Sequence, residues 1–158
     1  MKFLIITISY NQGKYLQECI ESVLSQQNVD LEYIVVDPGS VDGSRDLINS
    51  YQEIKKVFIK DSGPAEGLNN GFKEASGDYF GFINADDYFL PQALYKLQRE
   101  ILNSKASFLS GNGLIKKQNN QFQHVKSSKL TINKLLYNSA IIFQPSTFFS
   151  RDLYNKIN

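Results

Sequence analysis

A single cysteine, Cys19, in a chain of 158 residues cannot close an internal disulfide, so this fold rests on a packed core rather than on staples. Surplus charge is also missing: 17 Lys and Arg face 16 Asp and Glu, a formal net charge of +1. That balance provides no global field for nucleic acid or for an anionic membrane, so any anion site is local. No run is long and apolar enough to cross a membrane. The only stretch resembling a secretory leader, Phe3 to Ile8, is too short and runs at once into Ser9, Asn11 and Gln12. Without a leader, a glycosylation sequon or paired cysteines, the expected compartment is the cytoplasm. Repeats, low-complexity tracts and linker-like stretches are absent, so residues 1–158 read as one domain. Neither a G-x-G-x-x-G pattern nor a Walker lysine occurs, which argues against dinucleotide and P-loop sites.

What is present is an ordinary globular composition, 42% hydrophobic and 21% charged, arranged as an alternation. Short β-branched and aromatic runs alternate with stretches of helical period, which predicts an α/β fold with a mostly parallel sheet flanked by helices. Strands are expected at Phe3–Ile8, Tyr33–Val36, Val57–Ile59, Tyr79–Ile83 and Phe108–Ser110. The intervening helices carry the stripes Leu16, Cys19, Ile20, Val23 and Leu24, then Leu47, Ile48 and Tyr51, then Leu68 and Phe72. A fourth has Pro91 at its first position and Leu94, Leu97 and Ile101 on one face. Beyond Gly111 the rhythm weakens, and Leu114–Lys117 with Phe122–Val125 around Asn119 and Asn120 reads as a hairpin, so the fold turns mixed and antiparallel toward the C-terminus.

Ligands of open α/β sheets bind beyond the carboxyl ends of the strands. The polar clusters fall there: Ser9 to Gln12, Asp37 to Gly43, Asp61 to Glu66, and Asn84 to Asp87. Two adjacent carboxylates, Asp86 and Asp87, at the end of a buried strand are costly without a cation, and no Lys or Arg stands close to them in sequence. Either they form a simple turn ahead of the next helix, or they hold a hard divalent ion, Mg²⁺ or Mn²⁺, whose remaining ligands come from a diphosphate. Asp42 and Ser44 serve equally as ligand contacts or as helix caps. Asp61 or Ser62 can likewise cap the helix after Gly63, and Tyr10 is either a stacking platform or a packed loop aromatic. Tyr88 and Phe89 beside the acidic pair are placed to line a sugar site. His124 reads as a solvated strand residue, and Cys19 as core.

Together the blocks Thr7-Ile-Ser-Tyr-Asn-Gln-Gly-Lys-Tyr-Leu, Ser22-Val-Leu-Ser-Gln, Val36-Asp-Pro-Gly-Ser-Val-Asp-Gly-Ser, Asp61-Ser-Gly-Pro-Ala-Glu-Gly-Leu-Asn-Asn-Gly and Gly77-Asp-Tyr-Phe-Gly-Phe-Ile-Asn-Ala-Asp-Asp closely resemble the family-2 glycosyltransferases. The resemblance extends to Gln144-Pro-Ser-Thr-Phe-Phe-Ser-Arg151 on the acceptor side. It implies a GT-A fold, residues 1–110 forming the nucleotide-sugar half and 111–158 an incomplete acceptor half. It also implies inverting transfer of a sugar from a nucleotide-diphosphate donor to a hydroxyl of a glycan or lipid-linked acceptor, as in polysaccharide biosynthesis. By position, Thr7, Ser9, Tyr10 and Asp37 would hold the base. Asp61, Glu66 and Asn69 would contact diphosphate or sugar, and Asp86 and Asp87 the ribose and a Mn²⁺ or Mg²⁺ ion. A lipid-linked acceptor would bring the protein to the inner face of the membrane.

The chain departs from the family pattern at four places. Pro38 stands where many relatives have a second Asp, Asn84 replaces the first Asp of the fuller acidic motif, and Glu66-Gly67 replaces Asp-Ala. The family's general base lies beyond the Phe-Phe-x-Arg segment and this chain stops at Asn158, so the resemblance assigns that role to no residue here. Two expectations follow: a sugar transferase, or a domain that binds the donor without turnover.

Overall fold

A computed structural model describes residues 1–137 and 139–157. Its centre is β1 (Lys2–Ile8), in which Phe3 to Thr7 are all buried. Helices cover both faces, and the period of two sorts the side chains between them. Phe3 and Ile5 join Tyr33 and Val35 of β2 (Asp30–Val36) in one core. That core is completed by Leu16, Cys19, Ile20 and Val23 of α1 (Gly13–Leu24), Ile48 of α2 (Ser44–Ser50), and Leu94 and Ile101 of α4 (Ala93–Ser104). Leu4 and Ile6 turn the other way, onto Leu68 and Phe72 of α3 (Pro64–Lys73) and Tyr154 of α6 (Arg151–Ile157).

The main sheet runs β3-β2-β1-β4-β8-β5, with β3 (Lys55–Val57), β4 (Tyr79–Asn84), β5 (Phe108–Ser110) and β8 (Thr147–Ser150). Strands β3, β2, β1 and β4 are parallel, and β8 pairs antiparallel with both β4 and β5. A separate hairpin of β6 (Gly113–Lys116) and β7 (Phe122–Val125) carries the exposed His124, as expected. The short α5 (Ile132–Leu136) follows it. Because the chain winds from β1 out to β3 and then returns to place β4 on the other side of β1, the strand order reverses between β1 and β4. A cleft opens at such a reversal.

Three sequence expectations shift. The third strand is Lys55–Val57 instead of Val57–Ile59, because its register pairs Ile34 with Lys55 and Val36 with Val57. An edge strand tolerates two lysines, whereas Ile59 has already left the sheet and is exposed. Pro91 is not at the first helical position: Gln92, at φ 61°, turns the chain and α4 starts at Ala93. The Gln144–Arg151 segment supplies the sheet strand β8, hidden from a period-based reading by its brevity.

Gly81 makes the β4–β8 pairing fit. It lies opposite Phe148, and a Cβ at Gly81 would come within 2.5 Å of Phe148 Cε1. Gly81→Ala should therefore cost about 1–3 kcal/mol as the ring is forced off its rotamer. A thermal melt reads this directly, and an unchanged Tm would show that the ring has room to move.

Candidate functional site

The loops after β1, β2, β3 and β4 meet in one crevice of about 810 Å³. Ser9, Tyr10, Asp61 and Asp86 line it, together with Gln12, Gly39, Gly63 and Asn84. The β1 and β2 loops are stitched together. Asn11 N donates to Ser40 Oγ (2.8 Å), and Val41 N donates to Asn11 Oδ1 (3.0 Å). Asp42 performs two capping tasks at once: Oδ2 accepts from Gly13 N at the start of α1 (2.8 Å), and Oδ1 accepts from Ser44 N and Oγ at the start of α2 (3.1 and 2.6 Å). The Ser44 hydroxyl, then the Gly13 amide, hold its carboxyl below the usual range. Asp42 is thus a structural clasp, and Gly43 at φ 91° supplies the backbone bend.

Asp37 is wholly buried at the end of β2, between Val36 and Pro38 of the crevice wall. Its Oδ1 accepts from Gly39 N (2.9 Å), Ser40 N (2.8 Å) and Arg45 Nε (3.1 Å), while Arg45 Nη2 donates to its backbone carbonyl (3.0 Å). The guanidinium also lies over the Phe58 ring. Sequence reading did not single out Arg45, although its place eight residues on, in the first turn of the following helix, was the available signal. Asp37 Oδ2 makes no hydrogen bond. Of the three buried side-chain polar atoms without partners among the described residues, two, Ser9 Oγ and Asp37 Oδ2, are at this site. Buried polar groups left unpaired cost about 1–3 kcal/mol each, so a concentration of them marks where a ligand or water supplies the missing partner.

Across the crevice, Asp86 is exposed and lines both this cavity and a second one of about 330 Å³ beneath the β6–β7 hairpin. Asp87 is half-buried and lines only the second. Burial, then the neighbouring Asp86 charge, push the Asp87 carboxyl up from its ordinary value, against a hydrogen bond from Asn84 Nδ2 at 3.3 Å. Neither acid is in an ion pair among the described residues. Two hard carboxylates without a cation suit a divalent ion held partly by its ligand, and no group of three or more His, Cys, Asp or Glu among the described residues forms a complete protein cage. Asn84 also donates to Gln144 Oε1 (3.4 Å), and Gln144 Nε2 donates to Phe82 O (2.8 Å), tying the segment before β8 to the acidic turn. Tyr88 and Phe89 both line the second cavity, Tyr88 exposed and Phe89 largely buried and stacked on Phe148. Lys60, the one basic residue among the described residues lining the main crevice, was not anticipated, because it follows a strand whose end was misplaced.

Three residues assigned to the donor by resemblance do not reach the crevice with their side chains. Thr7 points into the core, where its hydroxyl bonds Tyr33 Oη at 2.9 Å and Cys19 Sγ at 3.5 Å. On a strand whose odd positions face α1, residue 7 has no other choice. Glu66 Oε2 accepts from Ser62 N (2.7 Å) and Oγ (2.6 Å), local bonds just ahead of α3 that lower its pKa. Asn69 is exposed a turn further along α3, outside the cavity wall. Asp61 remains at the site: Oδ1 accepts from Gly63 N (3.1 Å), and a Cβ on Gly67 would come within 2.8 Å of Oδ2, so Gly67 admits the carboxylate.

Cys19 is core, as expected. Burial above all pushes its thiol up to about 11. A thiol-specific reagent at pH 8 should leave the native protein unmodified over an hour and label it at once in denaturant. Rapid native labelling would contradict the packing of α1 on β1.

A parallel sheet with a reversal-point crevice, an acidic turn at the end of β4 and an antiparallel strand inserted beyond it is the GT-A architecture. The chain belongs to glycosyl transferase family 2, whose family model matches residues 4–157. It is 31% identical over 146 residues to a putative teichuronic acid biosynthesis glycosyltransferase, TuaG, of Bacillus subtilis, covering 87% of this chain and 58% of that protein. An uncharacterized glycosyltransferase of Nostoc sp. is 41% identical over 104 residues, covering 63% of this chain and 31% of the relative. S. aureus TarS 1-349 in complex with UDP superposes with a TM-score of 0.81 at 21% identity, over 99% of this chain and 49% of that one. A mannosyltransferase from Pyrobaculum calidifontis in complex with GDP-Man and Mn²⁺ gives 0.71 at 18% identity, over 99% and 46%. The chain spans 31% and 58% of the two curated relatives' lengths.

Proposed function

We propose that this chain carries the donor site of an inverting glycosyltransferase that moves a sugar from a nucleoside diphosphate to an acceptor hydroxyl. The observation that carries the reading is the pair of unpartnered polar atoms, Ser9 Oγ on the crevice that Asp86 also lines and Asp37 Oδ2 buried in the wall between Val36 and Pro38. Asp37 Oδ2 accepts an N–H of the base while Arg45 holds the carboxylate in place, and Tyr10 stacks on the ring. Lys60 and the amides at the start of α3 face the phosphates, where the helix terminus favours negative charge. Asp86 and Asp87 hold a Mn²⁺ or Mg²⁺ ion. The ion, when bound, neutralises charge developing on the leaving diphosphate. The acceptor is a glycan or lipid-linked hydroxyl on the side of the second cavity, which places the protein in the cytoplasm or at the membrane face.

A second reading, donor binding without turnover by this chain alone, draws on one specific observation. Among the described residues lining the second cavity, Asp86 and Asp87 are the only carboxylates and no histidine is present. If both serve the metal, none remains there to deprotonate the acceptor.

Calorimetric titration of UDP, GDP and dTDP, each with and without Mn²⁺, tests the donor site. Metal-dependent binding of one nucleotide supports it, and no binding of any overturns it. Incubation with the corresponding nucleotide sugars and assay of released nucleoside diphosphate then separates the two readings.

A further inference from the structure

The near-neutral total charge hides a strong segregation. From Lys105 to Arg151 the chain has six lysines and one arginine and not a single Asp or Glu. Within that stretch, Ser128 N donates to Ile141 O (2.8 Å), Ile141 N donates to Ser128 Oγ (3.1 Å) and Phe143 N donates to Ser127 Oγ (3.3 Å), closing the neck of a loop that carries α5. Thr131 caps α5 by accepting from Lys134 N (3.2 Å). Ile132, Leu135 and Leu136 share one face of this helix by their spacing, and no residue of α5 is buried. Ile132, Leu136 and Tyr137 are 75%, 74% and 80% exposed, and Ile141 and Ile142 beside them are also exposed. Scattered exposed apolar residues need no explanation, but six within eleven positions call for a partner.

We propose that this loop docks on an anionic phospholipid bilayer. The apolar side chains of α5 and of Ile141 and Ile142 enter the headgroup boundary, while Lys126 and Lys129 at the neck and Lys134 on α5 meet lipid phosphates. Charge selects this occupant: a second copy docked on the same face would bring like-charged lysines together with no acid between them. The surface belongs to the acceptor-side half, so it would hold the second cavity near the bilayer. The inference goes beyond the donor-site reading and stands on different residues.

The test is co-sedimentation of the chain with vesicles of phosphatidylcholine alone and of phosphatidylcholine mixed with phosphatidylglycerol. Binding should be about tenfold stronger to the anionic vesicles and should weaken as salt is raised. Ile132→Glu and Leu136→Glu replace exposed side chains, so both variants should keep the wild-type Tm while losing vesicle binding. Equal binding to both vesicle types, no binding to either, or undiminished binding by folded variants would overturn the proposal. A concentration-dependent dimer, seen by light scattering and lost in Leu136→Glu, would overturn it in favour of a second copy. Nucleotide titration of the same samples keeps the two readings apart: loss of the donor site leaves vesicle binding intact, and the reverse holds for the loop variants.

Discussion

Asp37→Asn should weaken nucleotide binding roughly 10- to 100-fold, the equivalent of one charge-assisted hydrogen bond lost in a dry site. The carboxylate is unusual in its division of labour. One oxygen organises the wall by collecting the Gly39 and Ser40 amides and the Arg45 guanidinium. The other has no partner. The amide can preserve the first set only by presenting its carbonyl oxygen to those donors, which turns an NH₂ toward the position where an acceptor is needed. The charge facing Arg45 also disappears, so a lower Tm accompanies the loss. Calorimetry with the best-binding nucleotide measures the first effect, and wild-type affinity in a folded variant would remove Asp37 from the donor site.

Asp86→Ala and Asp87→Ala should abolish the metal-dependent part of nucleotide binding while leaving the fold intact. Here function and stability move in opposite directions. Folding raises the Asp87 pKa, through burial and then through the Asp86 charge, so its ionised form is disfavoured in the native state. A raised carboxyl pKa contributes stability at low pH that is lost as pH rises through it. At pH 7, without metal, the wild type therefore carries a small destabilisation that Asp87→Asn relieves. The variant should melt about 2 °C higher at pH 7 and at the wild-type temperature near pH 3, where both states are protonated. Loss of metal-dependent affinity with unchanged or raised Tm is the expected pair of results. Unchanged affinity in both variants would refute the metal assignment.

Much of this molecule is legible from its sequence because its layers are sorted by period. The apolar run Phe3–Ile8 announced the strand β1, and the Leu16, Cys19, Ile20, Val23 spacing announced the helix that covers one of its faces. Loop positions of Ser9, Tyr10, Asp37, Asp61 and Asp86 follow from strand ends alone, which is why they gather at the crevice or in its wall. Side-chain direction within elements was harder. Thr7 sits in the right block but one residue before the strand end, so the pleat turns its hydroxyl into the core. Glu66 carries the right chemistry, yet a serine four residues earlier captures it locally. Arg45 and Lys60 are long side chains whose reach depends on tertiary packing: the place of Arg45 in the first turn of α2 is its one local signal, and Lys60 has none. The basic character of Lys105 to Arg151 was written in the sequence but lost in the whole-chain sum.

The central claim is that nucleotide and metal meet between the β1–β2 loops and the acidic turn of β4. The most direct measurement is an amide NMR titration of the isotopically labelled chain with UDP, GDP and dTDP in Mg²⁺, followed by replacement with a trace of Mn²⁺. The account predicts shifts at Ser9, Tyr10, Gly39 and Gly63 with one of the nucleotides, and paramagnetic broadening centred on Ala85 to Tyr88. Broadening centred on any other part of the chain, or no shift with any of the three nucleotides, would contradict it.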